Sequence, residues 1–179
     1  MLPDRKKHRL KDYDYTQNGL YYVTICTYDR ELLFVGPRRD VAYTIYEINE
    51  NGKIVQDEWT KIEQLRNNIV LDEYVIMPNH IHGIIIINDT ATSRRGPTGK
   101  FGKPISGSLS TIIGLFKTAV TKRINQKRNT PGKSVWQKSF YDHVIRNDTS
   151  LQNIREYIRN NPLTWDNDEE NTNKIKTSH

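Results

Sequence analysis

The sequence is poor in cysteine, in long apolar runs and, over its central part, in acidic residues. Cys26 is the single cysteine among 179 residues, so neither an intramolecular disulfide nor a cluster of thiolate ligands can form. That usage fits a reducing cytoplasm. No stretch reaches the roughly 18 apolar residues of a membrane-spanning helix, and the basic N-terminus lacks the apolar core of a secretory signal. We therefore expect a cytoplasmic protein that has no membrane partner.

Acidic residues are absent between Asp89 and Asp142, although the chain as a whole carries 27 basic and 21 acidic residues and a net charge of +6. A surface of one charge sign attracts polyanions and releases counterions when it binds them. A solvated lysine-rich face or a flexible loop is the alternative interpretation. The candidate DNA-binding residues in and just beyond this stretch are Arg94, Arg95, Lys117, Lys122, Arg123 and His143.

The chain length and its patterning predict one domain over residues 1–165, followed by a polar tail, 166–179, that is disordered. Within the domain, residues 89–107 hold four glycines and two prolines and are expected to form a mobile loop. β-branched runs predict strands, and apolar residues at helical spacing predict helices. The predicted strands are 19–28, 69–77, 80–88 and 134–146, and the predicted helices are 38–66 (interrupted at Asn51-Gly52), 108–126 and 149–161, the last capped by Asp148 or Thr149.

This order of elements is βαββαβ followed by one more helix. It predicts an α+β, ferredoxin-like antiparallel sheet with helices packed on one face and an additional C-terminal helix. The two central apolar strands are joined at Pro78-Asn79, which favours a hairpin or a sharp bend.

His80 and His82 stand at the head of the second of these strands, in the stretch PNHIHGIIII. Residues two apart point to the same side of a strand, so both imidazoles leave one face of a buried strand. Packing alone explains such a pair poorly, and with one cysteine available any metal here must use nitrogen and oxygen ligands. The pair therefore predicts two ligands of a metal site.

The last predicted helix carries polar groups that could complete such a site. Tyr157 and Asn161 are four residues apart and lie together on one edge of its apolar stripe. The amide oxygen of Asn161 could be a third ligand, with the Tyr157 hydroxyl one turn away. Two histidines and an amide oxygen suit Mg²⁺ or Mn²⁺ shared with a phosphate better than a closed zinc site.

Three segments, PNHIHGIIII, WQKSFYDHVIR and REYIRNNP, together resemble the REP-associated tyrosine transposases, which belong to the histidine–hydrophobic–histidine (HUH) nuclease group. The resemblance implies that His80, His82 and Asn161 bind a divalent metal and that Tyr157 is the nucleophile. It also implies a metal-dependent transposase that cleaves and rejoins single-stranded DNA at palindromic, hairpin-forming repeats through a 5′-phosphotyrosine. Such proteins act as monomers, or as homodimers that exchange the tyrosine helix.

Several alternatives remain at the level of sequence. Tyr141, near His143, is a rival nucleophile. His143 is a candidate general base as well as a candidate DNA contact. Asn161 could simply cap its helix before Pro162. A ferredoxin-like module that binds nucleic acid without catalysis is the alternative function.

Other enzymes with histidine pairs fit less well. Amidohydrolases need a barrel of about 250 residues. HxHxDH hydrolases need an Asp and a third His just downstream of the pair, a stretch that Gly83 and Ile84 occupy here. Zincins need histidines four apart on a helix.

Overall fold

The computed structural model describes residues 17–37, 46–88 and 107–171. Short 3₁₀ helices follow the first strand, at Tyr28–Arg30, and the last α-helix, at Asn161–Asn167. The strands are β1 (Gly19–Cys26), β2 (Val35–Pro37), β3 (Tyr46–Ile48), β4 (Ile69–Met77), β5 (His80–Ile87) and β6 (Tyr141–Ile145), and the helices are α1 (Glu50–Gln64), α2 (Leu109–Arg128) and α3 (Asp148–Asn160).

Four of the strands form one antiparallel sheet in the order β4-β5-β1-β6. With α1 and α2 as the connections this is the βαββαβ arrangement, and the predicted α+β, ferredoxin-like fold is confirmed. The small β2–β3 hairpin is inserted between β1 and α1. Within the three described ranges, no helix is both long enough and apolar enough to cross a membrane.

The two faces of the sheet bury different helices because side chains alternate along each strand. Tyr21, Val23 and Ile25 of β1 pack with α1 and α2 in the larger core. Tyr22 points the other way and packs with Ile154 of α3 in a second, smaller core. The C-terminal helix is therefore placed on the opposite face from α1 and α2, and this is the face from which both histidines project.

Gly83 of β5 allows α1 to lie close to the sheet directly behind the histidines. A Cβ at Gly83 would lie 2.4 Å from Cζ2 of Trp59, whose side chain is fully buried. The indole thus occupies the space that any other residue at position 83 would need. This contact fixes the centre of β5 from its rear face.

The predicted helix over 38–66 is wrong over 46–48, which form β3, and residues 38–45 lie outside the described residues. The helix begins at Glu50, because the Asn49 side chain accepts hydrogen bonds from the backbone N–H groups of Asn51 and Gly52. Asn51-Gly52 therefore lies in the first turn rather than at an interruption. A Cβ at Gly52 would lie 2.3 Å from the Phe34 carbonyl oxygen, so a side chain here would collide with the preceding segment.

The predicted strand over 134–146 is correct only for its last part, β6. Earlier in this segment a single bridge joins Trp136 to Thr27. The backbone over 137–139 instead turns around the ammonium group of Lys117, whose Nζ donates to the carbonyls of Gln137 and Ser139, each at 2.9 Å. Regular pairing with β1 covers only Tyr141–Ile145, which makes the observed strand shorter than the predicted one.

The C-terminal helix is close to its predicted position. Asn147, rather than Asp148 or Thr149, caps its N-terminus by accepting from the Ser150 N–H at 2.8 Å. A 3₁₀ helix then continues the chain past Pro162. Asp168, Glu170 and Asn171, which the sequence analysis assigned to the tail, are buried, and residues 172–179 lie outside the described ranges.

Candidate metal centre and tyrosine

His80 and His82 meet at a buried point on the α3 face of the sheet. Both side chains are fully buried, and their Nε2 atoms are 2.9 Å apart. The alternation of β5 brings the two rings to the same side, as the sequence predicted. The two histidines are thus adjacent in space as well as in sequence.

The Nδ1 atoms of both rings are engaged by neighbouring side chains. His80 Nδ1 is 2.9 Å from Oδ1 of Asn79, and an amide oxygen only accepts, so this nitrogen carries the proton. His82 Nδ1 lies 2.8 Å from the Tyr22 hydroxyl and 2.9 Å from that of Thr24. Thr24 donates its own proton to Tyr22 at 3.3 Å. In the tautomer of His82 that carries its proton on Nδ1, both Nε2 lone pairs face each other, and a cation shared between them removes their repulsion.

Asp168 supplies a carboxylate to the same point. One ligand atom from each of His80, His82 and Asp168 lies within 4.8 Å of the other two. The carboxylate is buried, and it accepts hydrogen bonds from the Glu170 N–H at 2.7 Å and from Nδ2 of Asn161 at 2.9 Å. The sequence analysis missed this residue. A usable signal was Trp165, a large apolar residue in a polar stretch, whose ring packs 6.1 Å from that of His80.

Asn161 lies one hydrogen bond from this cluster. Its side chain is buried, its Nδ2 donates to Asp168, and its Oδ1 has no hydrogen-bond partner among the described residues. A buried amide oxygen without a partner costs free energy unless something binds it.

These groups could hold a divalent cation. They offer two imidazole nitrogens, a carboxylate oxygen and an amide oxygen, a mixed set of nitrogen and oxygen donors. Adjacent ligands of an octahedral ion, each at about 2.1 Å, lie about 3.0 Å apart. The 2.9 Å between the two Nε2 atoms corresponds to such a pair.

Tyr157 reaches this cluster from α3. Its hydroxyl oxygen lies 3.5 Å from Nε2 of His82, and the two rings are 5.3 Å apart in an edge-on arrangement. The Tyr157 ring also meets Tyr22 edge-on at 6.5 Å. The Tyr157 hydroxyl and the two imidazoles of one chain therefore lie together. The rival Tyr141 also packs on this face, with its ring 6.3 Å from that of Tyr22.

Two ion pairs fix α3 to the edge strand of the sheet. Arg155 donates from two nitrogens to the two carboxylate oxygens of Asp72, and Arg159 pairs with Glu73. The β4–β5 pairing is irregular between Leu71 and Tyr74, so these two consecutive acids fall in a bulge. The guanidinium of Arg155 holds the pKa of Asp72 below its ordinary value, against an opposing effect of burial.

The predicted DNA-binding residues have different surroundings. Lys117 is engaged by backbone carbonyls, and burial lowers its pKa to about 8. Arg123 pairs with Asp57 and Glu58 of α1, whereas Lys122 is exposed. Burial lowers the pKa of His143, and Arg146 lowers it further. Arg94 and Arg95, like most of the predicted loop 89–107, lie outside the described residues.

Comparison with known proteins places the fold in one class. No protein-family model matches the chain. A solved structure of a REP-associated tyrosine transposase bound to a REP hairpin superposes with a TM-score of 0.56, at 18% identity, over 89% of this chain and 74% of that one. The fold is therefore that of the tyrosine transposases.

Sequence comparison adds two relatives from Haemophilus influenzae. One, of uncharacterized function, is 34% identical over 171 residues, covering 92% of both chains. The other, named as a REP-associated tyrosine transposase, is 25% identical and covers 84% of this chain and 73% of its own length. The chain belongs to the family of the first protein, and the resemblance to REP-associated tyrosine transposases is confirmed.

Proposed function

We propose that the chain cleaves and rejoins single-stranded DNA through a covalent 5′-phosphotyrosine on Tyr157. The observation that carries this proposal is the 3.5 Å approach of the Tyr157 hydroxyl to His82 within one chain. A nucleophile placed beside metal-binding groups is the arrangement that phosphoryl transfer needs. Among the ten tyrosines of the chain, the sequence and the geometry both favour this one.

The reaction follows from the chemistry of a phenol. The Tyr157 oxygen attacks the scissile phosphorus and forms a new P–O bond while the bond to the 3′ oxygen breaks. The phenolic proton passes to a base, and the 3′ oxygen leaves as a hydroxyl after taking up a proton. No water is consumed, so another 3′ hydroxyl can reverse the step and join a different strand.

A phenol needs help to act at neutral pH, because with a pKa near 10 only about one molecule in a thousand is ionised at pH 7. His143 is the candidate base. It lies on the same sheet face as the site, and its lowered pKa leaves it mostly neutral at pH 7, able to accept a proton.

His80 and His82 would hold a divalent metal, Mg²⁺ or Mn²⁺, together with oxygen ligands from Asn161 and Asp168. When bound, such an ion neutralises charge on the scissile phosphate. Asn79, Tyr22 and Thr24 keep the two imidazoles in the tautomer that presents Nε2 to the ion.

A hairpin-forming palindromic repeat is the proposed substrate. The support is the fold shared with a transposase whose structure contains a REP hairpin. Because the tyrosine reaches the histidines of its own chain, we propose that a monomer is active.

The test is incubation with a single-stranded oligonucleotide that carries a hairpin and an unpaired flank, in the presence of Mn²⁺. We expect a covalent protein–DNA adduct together with a fragment ending in a 3′ hydroxyl, and loss of both on chelation. Tyr157→Phe abolishes the adduct. Tyr141→Phe, a matched change on the same face of the sheet, retains it.

An adduct in Tyr157→Phe but not in Tyr141→Phe would move the nucleophile to Tyr141. Binding without an adduct in any variant, at any metal concentration, would instead support a nucleic-acid-binding module without catalysis.

A further inference from the structure

A groove runs along the outer side of α2, away from the metal centre. Its central cavity has a volume of about 930 Å³ and lies, open to solvent, between α2 and the segment 131–138. Cavities of about 540 and 480 Å³ adjoin it, and Lys138 lines all three. We call the three together the α2 groove.

The charge of the α2 groove suits a polyanion. Among the described residues that line the three cavities, Asp29, at the end lined by Tyr28, is the one acidic residue, and the central cavity has four lysines. Two of these are committed elsewhere: Lys117 to backbone carbonyls, and Lys133 to Glu31 at 3.9 Å. Lys122 and Lys138 are exposed and have no acidic partner among the described residues. Two ammonium groups thus face the groove, available to phosphates.

The wall opposite α2 is fixed by side chains rather than by a strand ladder. Lys117 binds the carbonyls on both sides of Lys138 and leaves the Lys138 side chain exposed. At the other end, Asn125 donates to the Lys133 carbonyl at 2.8 Å. The Gln137 N–H binds the Cys26 carbonyl at 3.0 Å, which ties the wall to β1. A wall held in this way is preorganised for a ligand.

One end of the α2 groove carries an exposed aromatic ring on a strained turn. Tyr28 is 49% exposed and lines this end together with Lys138. The next two residues, Asp29 and Arg30, have φ values of 49° and 54°. Residues other than glycine rarely adopt this left-handed backbone region, and such backbone strain concentrates at binding and catalytic sites.

This turn is connected to the metal centre through one amide. Nδ2 of Asn79 donates to the Arg30 carbonyl at 3.3 Å, while Oδ1 of the same side chain contacts His80. The aromatic end of the groove is therefore one side chain removed from a metal-binding histidine.

We propose that the α2 groove binds the unpaired DNA that flanks the cleaved phosphodiester, with phosphates on Lys122 and Lys138 and a base stacked on Tyr28. This inference rests on the proposed function and adds where the flank lies. The cavity-lining part of α2, from Gly114 to Gln126, spans about 18 Å at 1.5 Å per residue. Proteins that bind single-stranded nucleic acid without sequence preference combine the same two elements, a basic groove and aromatic rings on which bases stack.

The experiment measures binding of the full-length protein, without metal, to a fluorescent hairpin with a ten-nucleotide unpaired flank and to the same hairpin without it. The variant Lys122→Gln/Lys138→Gln removes two cations. The dependence of log Kobs on log salt should flatten by about 1.4 for the flanked hairpin, since each single-strand phosphate contact contributes about 0.7. Tyr28→Ala should weaken its binding roughly tenfold at constant salt slope. The blunt hairpin should show neither change.

Lys127→Gln is the matched control, because Lys127 lies on the same helix but faces Glu50 at 3.6 Å and lines none of the three cavities. It should leave the salt slope for the flanked hairpin unchanged. Circular dichroism of each variant checks that the fold is retained.

Two results would overturn the inference. In the first, both groove variants bind the flanked hairpin as wild type does. In the second, they lose as much affinity for the blunt hairpin as for the flanked one, which would mean that the groove binds the duplex stem. Both results are distinct from failure of the proposed function. If binding depends on the groove but no covalent adduct forms, the proposed transposase activity is wrong and the proposed DNA-binding groove stands. If an adduct forms and the groove variants bind like wild type, the groove proposal is wrong and the proposed activity stands.

Discussion

Arg155 of α3 and Asp72 of the β4 bulge form a two-pronged ion pair, in which Nε of the guanidinium donates to Oδ1 of Asp72 at 3.0 Å and a second nitrogen donates to Oδ2. Arg155 is two residues before Tyr157, so this pair sets the position and rotation of the helix that carries the proposed nucleophile. The geometry of the site is thus determined partly at the far edge of the sheet.

Removing this pair should reduce cleavage more than stability. Arg155→Gln is expected to slow adduct formation by up to about 100-fold, because a displacement of the nucleophile by about 1 Å is enough for such a loss. The free energy of unfolding should fall by less than about 1 kcal/mol, as is usual for partly exposed pairs. Adduct kinetics and urea unfolding measure the two effects. Lys53→Gln, which breaks an exposed pair with Glu50 on α1, serves as the control and should change neither.

The same pair makes stability depend on acid pH. The folded pKa of Asp72 lies below its ordinary value, chiefly through the hydrogen bonds from Arg155, so the native state binds this proton less readily than the unfolded chain. The ionised Asp72 therefore adds to the free energy of unfolding. This stabilisation is complete above the unfolded pKa of about 3.9 and is lost as the pH falls through the folded pKa. Thermal unfolding from pH 7 to pH 2 should show that wild type melts at a higher temperature than Asp72→Asn by a constant amount down to about pH 5. Below that pH the two melting temperatures should converge. A difference that persists at pH 2 would show that packing, not charge, is responsible.

Metal binding should depend on Asp168. We expect Asp168→Asn to weaken Mn²⁺ binding at least about tenfold, since replacement of groups that only support metal ligands already costs this much. At a fixed excess of Mn²⁺, a tenfold loss lowers the stabilisation by about 1.4 kcal/mol. Thermal shift and calorimetry provide the readouts. Asp166→Asn, at an exposed acid two residues earlier, should bind as wild type does; equal effects of the two changes would indicate general electrostatics.

The contact between Gly83 and Trp59 gives a test of the support behind the histidines. Gly83→Ala places a methyl group 2.4 Å from the indole and should destabilise the protein by about 1–3 kcal/mol. Gly114→Ala, in α2, meets no atom within 4 Å and should stabilise it by about 0.5–1 kcal/mol. Chemical denaturation of the two variants decides the matter, and a neutral Gly83→Ala would mean that the indole moves aside without cost.

The parts of the site that follow a local period could be predicted from the sequence. Alternation in β5 placed His80 and His82 on one face, and the four-residue helical spacing brought Tyr157 and Asn161 together. Asp168 could not be found this way, because its position depends on hydrogen bonds made by a 3₁₀ helix and a buried tryptophan rather than on a period.

The contacts of basic side chains on α2 are a second part of the structure that the sequence does not reveal. The DNA contact of Lys117 stays a prediction. Its ammonium also donates to the carbonyls of Gln137 and Ser139, where a turn replaces the first part of a predicted strand. The sequence shows the charge of Lys117 but not the carbonyls that surround it. Arg123 is similar, since its partners Asp57 and Glu58 are distant in sequence.

The position of Tyr157 beside His82 of its own chain has a genetic consequence. Under the proposed function of an active monomer, a chain defective in the tyrosine and a chain defective in a histidine would not restore each other's activity when mixed, because each lacks a part of its own site. Each chain would then provide one cutting centre, and excision of a DNA segment, which requires two cuts, would need two successive turnovers or two molecules acting on the same strand.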